Sequence, residues 1–237
     1  MENNKNIKNT NKILKTFLKG SPNSKWLKEY KRTLNNLSNI QWEMFIGLIL
    51  GDVSLQTQNK RKTNRMKFEW EDKNKIYTNH IYTVFDVWIL SPSHKKMRIN
   101  INDKIVYTWS FQIISHEAFN PLSDLFIVNK NKGVINNLIN NYLTLVGLAY
   151  WFPDYYGKLG YNKSSKNQGL VLNTHSFRIE EVEIMSIELS NKFDLNIEIK
   201  LNKNKSVILI KSESYTIFTY ITNSFFNPSM RYKISKL

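Results

Sequence analysis

Two short apolar stretches, about a hundred residues apart and each followed by the same succession of hydrophobic periodicities, restrict this chain to a duplicated architecture. In the first stretch Trp42, Phe45, Ile46, Ile49 and Leu50 recur at helical spacing, while Gly47 and Gly51 leave one face bare. The spacing predicts a helix over residues 40–50, ending at Gly51-Asp52. A hairpin over 53–70, a helix over 73–90 stopped by Ser91-Pro92, strands over 98–101 and 105–114, and a helix over 116–126 follow. The second stretch opens the same order: a helix over 145–152, a hairpin over 158–173, a helix over 179–193, two strands around Asn202-Lys203-Asn204-Lys205, and a helix over 214–225. Each unit closes on a loop with one isolated lysine, Lys132 beside Gly133 and Lys233 beside Tyr232.

An α-β-β-α-β-β-α unit used twice predicts an α+β fold of two pseudo-symmetric halves with antiparallel sheets. Residues 1–20 are polar and rich in Lys and Asn, and read as a flexible basic arm. The first half is assigned to 21–140, with a preliminary helix over 26–37, and the second to 141–237. At 237 residues, 41% hydrophobic and 13% aromatic, the chain can build such a core.

Charge narrows the function. Thirty-four Lys and Arg face 19 Asp and Glu, a formal net charge of +15 with a sequence pI of about 9.7. Cations in such surplus release condensed counterions when they meet phosphates, so a polyanion, nucleic acid first, is the expected partner. A basic surface without function is the plainer alternative. With no cysteine, disulfides, thiolate metal sites and Cys nucleophiles are excluded. His80, His94, His116 and His175 lack ligand spacing and read as surface or satisfied imidazoles, so a metal would sit on oxygen. No apolar run reaches the roughly 18 residues of a membrane span, and residues 1–10 lack a secretory apolar stretch, so neither a membrane nor secretion is expected. The richness in Asn, Lys and Ile fits AT-rich, organellar codons.

The stretches Phe45-Ile46-Gly47-Leu48-Ile49-Leu50-Gly51-Asp52-Val53 and Leu148-Ala149-Tyr150-Trp151-Phe152-Pro153-Asp154-Tyr155-Tyr156 resemble the paired motifs of the LAGLIDADG homing endonucleases. The resemblance is greatest to single-chain members encoded in introns of yeast mitochondrial ribosomal RNA genes and covers about residues 21–234. Lys67-Phe68-Glu69-Trp70, Leu125-Phe126-Ile127-Val128-Asn129 and Val171-Leu172-Asn173-Thr174 also match. It implies a monomeric, mitochondrial intron-homing protein that hydrolyses phosphodiesters with Mg²⁺ at a long asymmetric duplex DNA site.

The helix pair also has a physical logic of its own. Small residues, here Gly47 and Gly51 and, less well, Ala149, let two helices approach, and an Asp at each end then places two carboxylates side by side. Such a pair repels unless a divalent cation lies between them.

By the family pattern the catalytic carboxylates stand at Asp52 and at the position of Tyr155, with Lys132 and Lys233 as the basic residues beside them. Tyr155 is a departure: a phenol with a reference pKa near 10 is neutral and a poor Mg²⁺ ligand. Asp154, one residue earlier, points about 100° away on a regular helix unless Pro153 distorts the last turn. Tyr156 stands where the family pattern has Gly. The metal ligands expected from the resemblance are therefore Asp52, Gly51 and, in that event, Asp154. Double-strand cleavage is expected to be lost or reduced to nicking.

DNA contacts are expected from Lys60, Arg61, Lys62, Arg65 and Lys67, from Lys95, Lys96 and Arg98, and from Lys158 and Lys163, on sheets forming a saddle along the major groove. Trp42, Trp151, Tyr82, Phe85 and Trp88 follow helical spacing and read as core. Because the family includes proteins that assist splicing, an intron-RNA-binding maturase that has lost its nuclease chemistry is the rival reading.

Overall fold

The computed structural model describes residues 24–58, 63–99, 103–129, 131–152, 158–159, 169–202 and 204–228. The expected arm over 1–20, and with it Lys60, Arg61, Lys62, Pro153, Asp154, Tyr155, Tyr156, Lys163 and Lys233, lie outside the described residues, as does the side chain of Lys158.

After α1 (Lys25–Thr33), the first half runs α2 (Asn39–Leu50), β1 (Ser54–Gln58), β2 (Thr63–Glu71), α3 (Lys75–Val84), β3 (His94–Ile99), β4 (Ile105–Gln112) and α4 (Asn120–Phe126). The second runs α6 (Leu145–Trp151), β7 (Lys158–Leu159), β8 (Gly169–Leu172), α7 (Ile179–Phe193), β9 (Ile197–Asn202), β10 (Lys205–Lys211) and α8 (Tyr215–Thr222). Between them lie the two-residue strands β5 (Ile127–Val128) and β6 (Asn131–Lys132) and the short helix α5 (Leu138–Tyr142). Both antiparallel sheets have the same order, β1-β2-β4-β3 and β7-β8-β10-β9. The duplicated α+β architecture is thus as expected.

α2 is apolar all round because it is covered all round, with Met44 to Leu50 buried. Its start is set by a capping box in which the Ser38 hydroxyl accepts from Gln41 N and the Gln41 side chain accepts from Ser38 N. One side of α2 faces its own half, where Phe45 lies 6.2 Å from Phe68 of β2 between centroids, stacks on Phe85 at 4.1 Å and meets Phe119 edge-on. The other side faces α6. There a Cβ on Gly47 would lie 1.9 Å from the carbonyl oxygen of Gly147, so only glycine permits this crossing. The small residue that α6 contributes is Gly147, a correction to the expectation that Ala149 would serve. Helix contacts follow the crossing point of the two axes, which does not coincide with the aligned motif positions.

The second half repeats the scheme, with Phe152 edge-on to Phe218 and Phe226 and Trp151 fully buried. Phe85 and Trp88 are buried as expected, and Trp42 and Tyr82 are partly buried against the core. Each full burial of an apolar side chain of this size contributes roughly 1.5–3 kcal/mol.

The helix expected over 73–90 is broken. α3 ends at Val84, and a 3₁₀ turn over Asp86–Trp88 reorients the chain so that Trp88 reaches the core beside Phe119. The sequence does not predict α5, because the groups that cap it are distant. Glu188 of α7 accepts from the backbone N–H of Asn137, Ile139 and Asn140, and Lys192 donates to the carbonyls of Ile139 and Asn140. These bonds tie the connector between the halves to the second half.

Candidate active site

The site begins where α2 ends. Gly51 caps the helix, and Asp52, the next residue, is exposed to solvent at a C-terminus whose carbonyls make it attractive to cations. Three predicted residues meet there. The Lys132 ammonium donates to the carbonyl of Gly51, the residue before Asp52, at 3.0 Å. Lys132 is brought there by the β5–β6 ribbon, in which it pairs with Ile127.

The second half supplies residues the sequence reading did not single out. Asn173, just after β8, donates its amide to Asp52 Oδ1 at 2.5 Å, while its own carbonyl accepts from Trp151 Nε1 at 3.0 Å. Phe177 lies under Lys132, with the ammonium 5.0 Å from the ring centroid. The loop behind Lys132 is seated on Glu181, whose carboxylate accepts from Val134 N at 3.3 Å; a Cβ on Gly133 would lie 2.6 Å from the same carboxylate. Glu69 and Asn173 fall within two of the stretches that carry the family resemblance, which was the available signal. Nothing local marks Phe177.

The face of the first sheet turned away from the core continues from this site. Strand alternation and register place Arg65, Lys67 and Glu69 of β2 on it together with Lys96 and Arg98 of β3. Asp52, Lys67, Glu69 and Arg98 line a cleft of about 570 Å³. Glu69 is the hub. Its carboxylate pairs with Lys67 at 3.2 Å and Lys96 at 3.9 Å, pairs with Arg98, and accepts from the Thr108 hydroxyl at 3.0 Å. Partial burial acts to raise its pKa, but the bonds from Lys67 and Thr108 and the charges of Arg98 and Lys67 prevail and hold it below the usual carboxylate value.

Lys95 is not on this face. It pairs across β4 with Trp109 on the opposite side, where it bonds Asp72 at 3.2 Å and covers the Tyr107 ring at 4.3 Å. Adjacent lysines on one strand cannot share a face, which separates Lys95 from Lys96.

The corresponding face of the second sheet is mixed: the buried apolar cluster Val171, Val207 and Leu209 is flanked on β9 by the ion pair of Glu198 and Lys200. Two of the four histidines are satisfied, partly buried imidazoles, as expected. His116 Nε2 is 3.1 Å from the Lys31 carbonyl and His80 Nε2 is 2.8 Å from the Tyr150 hydroxyl. No group of three or more acidic, His or Cys side chains that could hold a metal occurs among the described residues. No described helix is long and apolar enough to cross a membrane.

A carboxylate and a lysine gathered at the end of one of two glycine-packed helices, in a duplicated α+β fold, is the arrangement that the motif resemblance implied. The model of the LAGLIDADG DNA endonuclease family matches residues 42–218. The chain belongs to this family. Among its relatives, the probable intron-encoded endonuclease 1 of Wickerhamomyces canadensis is 44% identical over 220 residues, 93% of this chain and 94% of the relative. The cytochrome b mRNA maturase bI2 of Saccharomyces cerevisiae is 30% identical over 199 residues, covering 79% of this chain and 45% of the maturase. The solved structure of the homing endonuclease I-WcaI bound to its DNA recognition sequence superposes with a TM-score of 0.84 at 42% identity, over 93% of this chain and 97% of that one. The LAGLIDADG fold with two repeated halves is thereby shown for this protein.

Proposed function

We propose that the protein is a monomeric, sequence-selective binder of one long asymmetric duplex DNA site, acting in intron homing in the mitochondrion. The outer faces of its two sheets form the saddle that lies along the major groove. The observation that carries this reading is the juxtaposition of Asp52, the Gly51 carbonyl and Lys132 beside a sheet face bearing Arg65, Lys67, Lys96 and Arg98. Four cations on one face supply the sequence-independent attraction to phosphates, and side chains standing off an antiparallel sheet can reach base edges in a groove about 12 Å wide.

The chemistry in this reading belongs to the first half. Asp52 and the Gly51 carbonyl are hard oxygen donors at the negative end of a helix, the donor set Mg²⁺ takes together with water and phosphate oxygens, so these residues fit a divalent cation. Such an ion would polarise the phosphoryl oxygen and favour departure of the 3′ oxygen. Asn173 orients the Asp52 carboxylate, and Lys132, fixed by the Gly51 carbonyl and Phe177, places positive charge beside the attacked phosphate. At the other half, Tyr155 stands where the family pattern has Asp, which removes the second carboxylate. Double-strand cleavage is lost or reduced to nicking.

A second reading, an intron-RNA-binding maturase, is favoured by the 30% identity to the cytochrome b mRNA maturase. Competition decides between the two. At fixed salt, a duplex selected by the protein from a random pool should displace a folded organellar intron RNA from it at equimolar concentration; preferential retention of the RNA would replace the DNA reading by the maturase reading.

A further inference from the structure

Glu69 stands as a carboxylate among the cations Lys67, Lys96 and Arg98 of this face. If this face only attracted phosphates, such a group would be a liability, since it cancels charge where charge gives affinity. Nor does it explain itself through stability. Its partners Lys67, Lys96 and Arg98 have side chains 35%, 35% and 56% exposed, and ion pairs that open to solvent contribute little. What Glu69 does is converge three long side chains from two strands onto one point. Lys67 lies on its own strand, Lys96 and Arg98 come from β3, and Thr108 of β4 fixes the carboxylate from between them. Free lysine and arginine side chains lose much rotamer entropy when they are ordered on a ligand, and here part of that ordering exists before the ligand arrives.

We propose that Glu69 is a specificity-determining residue, which presents Arg98 and Lys96 in fixed positions to guanine edges in the major groove and accepts from the exocyclic amine of the paired cytosine. The chemistry is complementary. An arginine matches the O6 and N7 acceptors of guanine, and a carboxylate matches the N4 donor of cytosine, so an Arg–Glu pair on one sheet face spans the edge of a G·C pair. The negative charge also weakens attachment to sequences that offer no such amine, which raises selectivity by rejecting wrong sites. On the corresponding face of the second sheet the pair Glu198–Lys200 stands beside the apolar Val171, Val207 and Leu209, so among the described residues the three-cation cluster around one carboxylate is that of the first sheet. The inference rests on the duplex-binding reading above.

Glu71 provides the control. It lies on the same strand and face, lines the same cleft and carries the same charge, but its ion pair is with Lys73 alone among the described residues. Wild-type protein, Glu69→Gln and Glu71→Gln should each be used to select duplexes from a random pool, with affinity for a mixed-sequence duplex measured alongside and thermal melting as the check on folding. Both variants should bind the mixed duplex a few-fold more tightly, as any loss of a carboxylate does. Only Glu69→Gln should lose the preference for G·C at one or two adjacent positions of the selected site, with selected-over-mixed discrimination falling about tenfold. Equal selectivity in the two variants, or unchanged base preference in Glu69→Gln, would overturn the inference while leaving duplex binding intact. Failure of the wild type to enrich any sequence would overturn the duplex-binding reading and this inference with it.

Discussion

Asn173 of the second half donates its side-chain amide to the Asp52 carboxylate of the first, at 2.5 Å. The Asp52 carboxylate is therefore held across the boundary between the halves, by a residue whose carbonyl is in turn fixed by the buried indole of Trp151. Replacing Asn173 by Asp turns that donor into a second carboxylate, repulsive to Asp52 at neutral pH unless a divalent cation joins them. Loss of a hydrogen bond to a charged group costs about 1.5–3 kcal/mol, so Asn173→Asp should lower the melting temperature by about 5 °C or more in EDTA. Millimolar Ca²⁺ should restore most of that loss while leaving the wild type nearly unchanged. Equal effects of Ca²⁺ on the two proteins would show that the carboxylates do not meet.

The helix crossing makes a sharper stability prediction. A methyl on Gly47 meets the Gly147 carbonyl oxygen at 1.9 Å, backbone that cannot turn aside, whereas one on Gly147 meets Leu143 Cδ1 at 2.9 Å and the Glu43 carbonyl oxygen at 3.0 Å. Overpacking of a buried contact costs about 1–3 kcal/mol or more. Urea denaturation should show Gly47→Ala losing more stability than Gly147→Ala, with Gly47→Ala at or beyond the upper end of that range. Equal losses would contradict the crossing geometry.

What could be read before the structure was governed by local chemistry. The helix over 179–193 matches α7 from Ile179 to Phe193, because its periodicity runs unbroken between a polar start and the left-handed Asp194. Gly147 carries no local signal, because its value lies only in what it touches on the other helix. α5 has no local cap; its donors bond Glu188, about fifty residues away. At the site, Asp52, Gly51 and Lys132 are legible from the repeat, while Asn173 and Phe177 enter it through contacts with Asp52 and Lys132 of the other half. Lys95 and Lys96 could not be told apart without knowing which face of β3 the core occupies.

The interface between α3 and α6 carries a pH dependence. His80 lies half-buried against Tyr150, and burial lowers its pKa from the ordinary 6.5, while burial raises the Tyr150 phenol to about 12. The folded protein thus resists protonating a ring that the unfolded chain protonates readily. The contribution is fully present above pH 6.5 and is lost as pH falls from there through the lower folded-state value. Chemical denaturation between pH 8 and pH 5 should show stability falling below pH 6.5, with a shallower fall in His80→Phe. An identical pH slope in the variant would remove His80 from the account.

Salt dependence tests the sheet face. Log affinity for duplex DNA should fall linearly with log salt, with a slope of about −0.9 per phosphate neutralised. Substituting Arg65, Lys67, Lys96 and Arg98 together by Gln should make the slope shallower by about 0.9 for each phosphate these side chains neutralise in the wild type. Lys95→Gln, on the other face of β3, should leave it nearly unchanged. A larger effect from Lys95 would place the DNA on the wrong side of the sheet.

In the proposed function the protein keeps a LAGLIDADG binding surface and the first catalytic half, while Tyr155 stands where the family pattern has the second carboxylate. The direct measurement is supercoiled plasmid carrying the duplex site selected by the protein, incubated with Mg²⁺ and then Mn²⁺. The wild type should bind it and give no linear product, at most a nicked circle. Tyr155→Asp combined with Tyr156→Gly should give metal-dependent linear DNA, and adding Asp52→Asn should abolish it again. Efficient linearisation by the unaltered protein would contradict the account and assign the second carboxylate to Asp154.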